Sequence, residues 1–351
     1  MCTAVTIRSA RQETCFGRTM DFSYPLDPEL YFIPRKYEWS NLLNTHIIHN
    51  KYTVMGIGQN LSPVILADGV NETGFAAAAL YFPGYAQYDP VSLQNASPYA
   101  LEHTVPDGTL RESGARMNPP VAALELVNFL LGQCSYTQHA VSLLHTIRII
   151  GVKDAVTDSV APLHWIIADK TGSCKVIEKT NAGLEITDNP IGVLSNSPDF
   201  SWHMTNLRNY MNVKPTQHQE VIWGKTPLTP FGQGTGTFGL PGDYTPPSRF
   251  VRTAYLKTHT DLPADPDEMV TAGFHILESV SIPKGVVITS HGTFDYTQYT
   301  ALINLNAQEY YFKTYDNSQI TAVKMPCADD GTTSQIASLG KLNCKTTYAQ
   351  L

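Results

Sequence analysis

Apolar residues in this chain fall mostly into short runs broken by Gly, Pro, Asn and Asp. That pattern restricts the fold more than any motif does, because such runs make strands rather than long helices. Residues Cys2–Arg8 alternate, with Ala4 and Thr6 on one face and Thr3, Val5 and Ile7 on the other. A second strand over 14–20 would close a hairpin with them. Further strands are expected at 30–34, 52–58, 64–68, 74–81, 163–169, 175–179 and 191–194. A late set is expected at 285–289, 296–304, 309–315 and 320–325. The run LHWIIAD at 163–169 is almost continuously apolar, as in a strand covered on both faces.

Helical signals are fewer. Leu124, Val127, Leu131 and Cys134 form a stripe behind Pro119-Pro120, which predicts a helix over 121–134. Asp265-Pro266-Asp267-Glu268 is a capped start leading into a helix over 269–280, with Val270, Phe274 and Leu277 on one side. Thr245-Pro246-Pro247 opens another over 248–259, and 201–211 reads as a short one. Strands, helix, strands, helices and strands again is not a βαβ alternation. It predicts an α+β layered domain of mainly antiparallel sheets with helices packed outside. No repeat or low-complexity linker interrupts the chain, so a single domain over 2–351 is expected. Residues 89–120, rich in Pro, Ser, Asn and Gly, are the one long irregular stretch, a lid or an insertion.

Composition removes several function classes. With 42% apolar residues, the 351-residue chain can bury a sizeable core. Lys and Arg number 24 against 31 Asp and Glu, a net charge of −7 that offers no cationic surface for nucleic acid or anionic lipid. The longest apolar run, 75–82, is far short of the ~20 residues of a membrane helix. The N-terminus carries no basic region followed by a long apolar stretch, so a cytoplasmic protein is expected. The six cysteines (Cys2, Cys15, Cys134, Cys174, Cys327 and Cys344) form no CxxC pair and no zinc spacing. His46 and His49 have no evident third ligand, so no metal is expected. Gly232-x-Gly234-x-Gly236 lacks the strand–turn–helix setting of a dinucleotide loop, so no organic cofactor is expected either.

Chemistry concentrates at Cys2. Removal of Met1 would leave one residue carrying both a thiol and an α-amine, with reference pKa values of ~8.5 and ~7.7–8.0. The amine, directly or through a water, can then take the thiol proton, so nucleophile and base share one residue. If the first two strands form a hairpin, Arg18 approaches Cys2, where a guanidinium favours thiolate. Asp21 could accept from the terminal ammonium or orient Arg18. Taken singly, Cys2 also reads as a plain terminal residue, and Arg18 and Asp21 as a surface pair.

The segments MCTAVTIRS…FGRTMDF, ADGVNETGFAAAALYFPGYAQY, PLHWIIAD, IGVLSNSPDFSWHMTNLRNY, LTPFGQGTGTFGLPGDYTPPSRFVRTAY, IPKGVV and DYTQYT…YYFKTYDNSQI run in one order along nearly the whole chain. Together they resemble the choloylglycine hydrolase family, which contains penicillin V acylases and bile salt hydrolases. The resemblance implies an αββα N-terminal nucleophile fold, two stacked antiparallel sheets between helical layers. It also implies hydrolysis of a linear amide C–N bond through a thioester, without metal or cofactor. It places the nucleophile at Cys2 and the adjoining pair at Arg18 and Asp21. The oxyanion donors fall at the Asn196 side chain and the Tyr81 backbone N–H, and the polar network is completed by Arg249. Separately, Asn196 would read as a turn residue and Arg249 as a helix-start cation. Family bile salt hydrolases typically carry Asn at position 81 and penicillin V acylases carry Tyr. Tyr81 therefore implies an acylase-like preference, with Phe22, Tyr24 and Phe82 adding apolar wall for the acyl group of a small-molecule amide. The resemblance further implies a homotetramer with 201–238 in contact. Other readings are a bile salt hydrolase, an N-acyl homoserine lactone acylase, an internal-cysteine hydrolase using Cys134 or Cys174, and a relative that binds acyl amides without turnover.

Overall fold

The alternating N-terminal segment forms strand Cys2–Arg8, paired antiparallel with Thr14–Phe22 in the register Cys2↔Met20, Ala4↔Arg18 and Thr6↔Phe16. The structure, a computed structural model, describes residues 1–61, 63–91, 118–154, 158–326 and 335–341. Most of the irregular 89–120 stretch lies outside the described residues, as do Cys327 and Cys344.

The hairpin sits inside a six-stranded sheet with the order Val193–Leu194, Cys2–Arg8, Thr14–Phe22, Tyr296–Asn304, Glu309–Thr314 and Asn317–Lys324. An eight-stranded sheet faces it, with the order Gly183–Asp188, Cys174–Thr180, Leu163–Asp169, Phe75–Tyr81, Val64–Asn71, Val54–Asn60, Glu29–Ile33 and Ala337–Ser338. Every described pairing within both sheets is antiparallel. Helices α1 (Leu126–Gln133) and α2 (Thr137–Leu144) cover the outside of the second sheet. Helix α3 (Phe200–Asn206) packs on α4 (Pro246–His259), and α4 and α5 (Pro266–Glu278) cover the outside of the first sheet. This is the αββα arrangement. No helix among the described residues is long and apolar enough to cross a membrane.

The layers follow from alternation along the strands. On Thr14–Phe22, Phe16, Arg18 and Met20 face the second sheet, whereas Cys15, Gly17, Thr19 and Asp21 face the helices. Gly17 is required there: a Cβ would lie 2.6 Å from the Leu302 side chain, and one on Gly273 of α5 would lie 2.7 Å from it. Leu302 thus fills the slot between strand and helix. Between the sheets, Phe16, Ala78, Leu80, Ile166 and Tyr299 are almost fully buried. A second apolar cluster joins α1 to the outer face of the other sheet through Phe75, Ala77, Trp165, Ile167 and Leu130. Burying each large apolar side chain is worth roughly 1.5–3 kcal/mol.

Several expected elements differ. Helix 121–134 is shortened because Pro120–Ala122 pairs with Arg148–Ile150, and a 3₁₀ turn over Ala123–Glu125 precedes α1. Helix 201–211 is α3 followed by a 3₁₀ turn, Leu207–Tyr210. The segment 285–289 is no strand: Gly285 has φ +100°, Val286 and Ile288 are exposed, and only an Ile288–Phe294 bridge forms. Strand Gly183–Asp188 and helix α2 were not expected. Helix α2 lacks a local cap, and the Asp169 carboxylate accepts instead from the Thr137 N–H (3.0 Å) and hydroxyl (2.9 Å).

Candidate active site

The cross-strand pair Cys2↔Met20 places the Cys2 side chain on the face of Thr14–Phe22 that carries Arg18. Arg18 Nη2 donates to Cys2 Sγ at 2.8 Å, with Met20 Sδ 3.9 Å from the sulfur. The pairing of Val64–Asn71 with Phe75–Tyr81 ends at Asp68↔Ala78, and the Arg18 guanidinium occupies the gap beyond it. Its Nη1 donates to Ala67 O (3.2 Å) and Ala79 O (3.0 Å), and its Nε to Thr19 O (3.2 Å). The Asp68 carboxylate lies 3.6 Å away and accepts from the Tyr299 hydroxyl at 2.5 Å and from Tyr310. Burial opposes the charge on Arg18, but Cys2, Tyr299, Asp68 and Asp21 prevail and raise its pKa, so it is a cation at any working pH.

Asp21 points the other way. Its carboxylate accepts from the Thr297 hydroxyl (2.5 Å) and the Thr19 hydroxyl (3.2 Å) and lies 3.6 Å from Arg249 Nη1. Asp21 therefore neither orients Arg18 nor pairs with it, because residues three apart on a strand face opposite sides. With Met1 in place, its own α-amino group donates to Asp21 O at 2.6 Å and approaches the Asp295 carboxylate at 3.3 Å. Burial pushes the Asp21 carboxyl up, and Arg249 draws it back.

Arg249 enters from the first turn of α4 and is fully buried. Its Nη1 donates to Cys2 O (2.7 Å) and Thr3 Oγ1 (2.5 Å), its Nη2 to Asn196 Oδ1 (2.6 Å), and its Nε to Tyr244 O (3.0 Å). Asn196 Oδ1 also accepts from Cys2 N at 2.7 Å. With only donors around Oδ1, the amide can take just one orientation. Its Nδ2 then gives one hydrogen to Tyr81 O at 2.6 Å and leaves the other uncommitted. Phe82 N–H donates to Pro162 O, so the next peptide in this antiparallel ladder turns to the opposite edge. The Tyr81 N–H and C=O consequently face Asn196, as those of Ala79 face Arg18.

The structure thus assembles Cys2, Arg18, Asp21, Asn196, Arg249 and the Tyr81 backbone in one buried constellation. The rings of Phe22, Tyr24 and Tyr81 form an apolar wall beside it, with Phe22 centroids 5.9 Å from Tyr24 and 6.4 Å from Tyr81. Phe82 is not part of that wall. It is fully buried, stacked on His164 at 4.2 Å and on Tyr85 at 5.2 Å. Asp68, Tyr299, Tyr310, Thr297 and Asp295 were missed from sequence, since they reach the site from strands or loops with no local signature. Burial pushes the thiols of Cys134 and Cys174 up to about 12, which leaves neither poised as an internal nucleophile. No group of three or more His, Cys, Asp or Glu side chains among the described residues could hold a metal ion.

Over residues 2–105 and 112–336 the sequence matches the family described as linear amide C-N hydrolases, choloylglycine hydrolase family. The chain belongs to the choloylglycine hydrolase family. It is 35% identical to the bile salt hydrolase/transferase of Clostridium perfringens, covering 93% of this chain and 92% of that protein. It is 32% identical to the bile salt hydrolase/transferase of Lactiplantibacillus plantarum, with the same coverage. A crystal structure of a mutant conjugated bile acid hydrolase from Clostridium perfringens superposes with TM-score 0.86 at 31% identity, over 100% of both chains. Penicillin V acylase from Agrobacterium tumefaciens shares the fold, with TM-score 0.73 at 18% identity over 98% of this chain and 94% of that one. The protein is accordingly a cysteine N-terminal nucleophile hydrolase of linear amides, with the αββα fold of this family. In this choloylglycine hydrolase fold, Cys2–Arg8 pairs with Val193–Leu194, and the chain leaving that short strand carries Asn196 to the Cys2 backbone.

Proposed function

We propose that this choloylglycine hydrolase cleaves the amide bond of conjugated bile salts, with Cys2 as nucleophile once Met1 is removed. The observation that carries the substrate is the relationship itself: both relatives above named for bile salts match at 32–35% across 93% of the chain. The penicillin V acylase neighbour, at 18%, bears on the fold alone. The acylase-like preference expected from Tyr81 therefore gives way to the bile salt reading. The wall of Phe22, Tyr24 and Tyr81 suits a broad apolar acyl group lying beside the sulfur.

The chemistry follows from the hydrogen-bond pattern. While Met1 is attached, Cys2 N is an amide and has no basic lone pair. Freed, it becomes an α-amine held by Asn196 Oδ1, next to the thiol whose proton it takes. The sulfur attacks the amide carbonyl under Arg18. The oxyanion takes the uncommitted hydrogen of Asn196 Nδ2 and the Tyr81 N–H, and such donors contribute roughly 2.7–4 kcal/mol each. The protonated α-amine hands its proton to the leaving nitrogen, and the C–N bond breaks to give the thioester and the free amine. Water, deprotonated by the same α-amine, then releases the acid and restores the thiol.

The test is a panel of glycocholate, taurocholate, penicillin V and an acyl-homoserine lactone on enzyme whose intact mass lacks Met1. The highest kcat/KM on a bile salt is expected, and a preference for penicillin V or the lactone would overturn this substrate. Full activity with Met1 retained would overturn the terminal-amine mechanism. As part of the same reading, residues 2–351 act as one amidase unit in the cytoplasm and assemble as a homotetramer through 201–238. Met211, Ile222, Trp223, Phe231 and Phe238 are all exposed in that segment, a patch that assembly would bury. Light scattering on Trp223→Asp should then report smaller species.

A further inference from the structure

Asn196 lies in an irregular stretch between the last residue of strand Val193–Leu194 and Asp199, the N-cap of α3. Loops of this kind are ordinarily the mobile parts of a fold, yet an oxyanion donor must be held to a fraction of an ångström. Two buried histidines that the mechanism does not use meet this loop. His164 Nε2 lies 2.8 Å from Ser195 O, and His203 Nε2 lies 2.7 Å from Asn196 O. Both rings have no exposed surface.

The proton positions follow from the partners. A carbonyl oxygen only accepts, so each Nε2 must carry hydrogen. His203 Nδ1 is buried without a hydrogen-bond partner, so that ring is the neutral Nε2–H tautomer. His164 Nδ1 sits 3.0 Å from Glu178 Oε1, and the two share a further proton. Glu178 also accepts from the Phe200 N–H at 3.1 Å, which ties the start of α3 to the same carboxylate. Each ring is clamped by stacking, His164 on Phe82 at 4.2 Å and His203 on Phe250 at 4.6 Å. Phe82 directly follows Tyr81, whose peptide supplies the other oxyanion donor. Phe250 directly follows Arg249, which grips Asn196 Oδ1.

We infer that His164 and His203 are positioning residues for the hydrolysis, each donating through Nε2 to one of the consecutive carbonyls of Ser195 and Asn196 and so fixing the Asn196 amide beside Cys2. The inference rests on the reading of Asn196 as oxyanion donor. A histidine here does what a smaller donor could not. It spans from a strand or helix to the loop carbonyl while its ring face is packed, so the donor cannot swing away.

The experiment compares His203→Phe, which keeps the stack and loses the donor, with His203→Gln, whose side-chain amide can still reach Asn196 O. Turnover is measured on glycocholate, and separately the rate at which iodoacetamide alkylates Cys2, a reaction that needs the thiolate but no oxyanion donor. His203→Phe should lower kcat on the order of 10- to 100-fold, with KM changed by less than about threefold and alkylation unchanged. His203→Gln should recover most of that kcat. The pair His164→Leu and His164→Gln should repeat the pattern, and supplies the test if His203→Phe does not fold. Wild-type kcat in both donor-less variants overturns the inference. So does equal loss of kcat and alkylation in every variant, which marks a general structural role. Asn196→Ala separates the two readings. Near-wild-type turnover there sinks the oxyanion assignment, whereas loss there with normal turnover in the histidine variants sinks only the positioning role.

Discussion

The two faces of strand Thr14–Phe22 carry matching devices with different work to do. On each face a buried arginine stands 3.6 Å from a buried aspartate, Arg18 with Asp68 and Arg249 with Asp21. On each, the carboxylate also accepts from two side-chain hydroxyls, those of Tyr299 and Tyr310 for Asp68 and of Thr297 and Thr19 for Asp21. Yet Arg18 donates to the sulfur itself, whereas Arg249 donates to Cys2 O, Thr3 Oγ1 and Asn196 Oδ1 and never touches Sγ. A buried ion pair is weak evidence for stability, because desolvation can outweigh attraction. Here the pairs are better understood by what the cations hold. One face conditions the nucleophile. The other ties the Cys2 backbone to the Asn196 amide. Strand alternation separates the two functions within four consecutive residues, Arg18 to Asp21.

The comparison can be broken at graded strength. Cys2→Ser should fold with an unchanged melting temperature and lose more than about a thousandfold in kcat, since a hydroxyl is far less acidic than a thiol. Wild-type turnover from that variant would remove the sulfur from the mechanism. Arg18→Met should slow Cys2 alkylation at neutral pH and lower kcat on the order of a hundredfold, because the thiolate loses its adjacent cation. Unchanged alkylation would show that the Nη2–Sγ contact has no influence on the thiol. Arg249→Met should lower kcat by releasing Asn196 Oδ1 and should also cost stability. It strands Asp21 and the carbonyls of Cys2 and Tyr244, at a cost of about 3–5 kcal/mol in chemical denaturation. Alkylation in the folded fraction should stay near normal. If Arg249→Met slows alkylation as much as Arg18→Met does, the two faces are not functionally separate.

Much of this was legible from sequence because it is local. Alternation in Cys2–Arg8, the capped start at Asp265 and the continuous apolar run at Leu163–Asp169 each encode one element's environment, and each appears as such. What failed was set by distant partners. Helix α2 is capped by Asp169 from another strand, and the helix expected from position 121 starts late because Pro120–Ala122 is claimed by Arg148–Ile150. The site shows the same division. Cys2, Arg18, Asp21, Asn196 and Arg249 carry motifs, and the structure sets them side by side. Asp68, Tyr299 and Tyr310 carry none, since a single Asp or Tyr in a strand reads like any other. Phe82 misled because the residue after Tyr81 points to the opposite face, into the stack with His164. His164 reads as a satisfied core histidine, and both its nitrogens do have partners. Only the structure shows that one of them is the carbonyl preceding Asn196.

The smallest expected effect tests the helix-side face through pH. Burial holds His203 down to about 4, against an ordinary 6.5, because a charged ring packed on Phe250 would have no water and no acceptor at Nδ1. A folded-state value below the unfolded one means that the unfolded chain binds the proton more tightly. The stabilisation from His203 is therefore fully present above pH 6.5 and lost as pH falls through about 4. The difference between 6.5 and about 4 sets a ceiling of roughly 3.5 kcal/mol. Denaturant midpoints of wild type and His203→Phe, taken every half pH unit from 7.5 to 4, should diverge least at the acid end, because phenylalanine has no proton to gain. Parallel curves would mean that the folded enzyme binds a proton at His203 as readily as the unfolded chain does. The Nδ1 lone pair, and with it the neutral ring that donates to Asn196 O, would then be wrong. The Arg18 face carries no histidine among its contacts, but it holds Asp68, whose carboxyl is pushed up by burial and drawn back by Arg18, so Arg18→Met should change the acid slope through that carboxylate and leave the contribution of His203 in place.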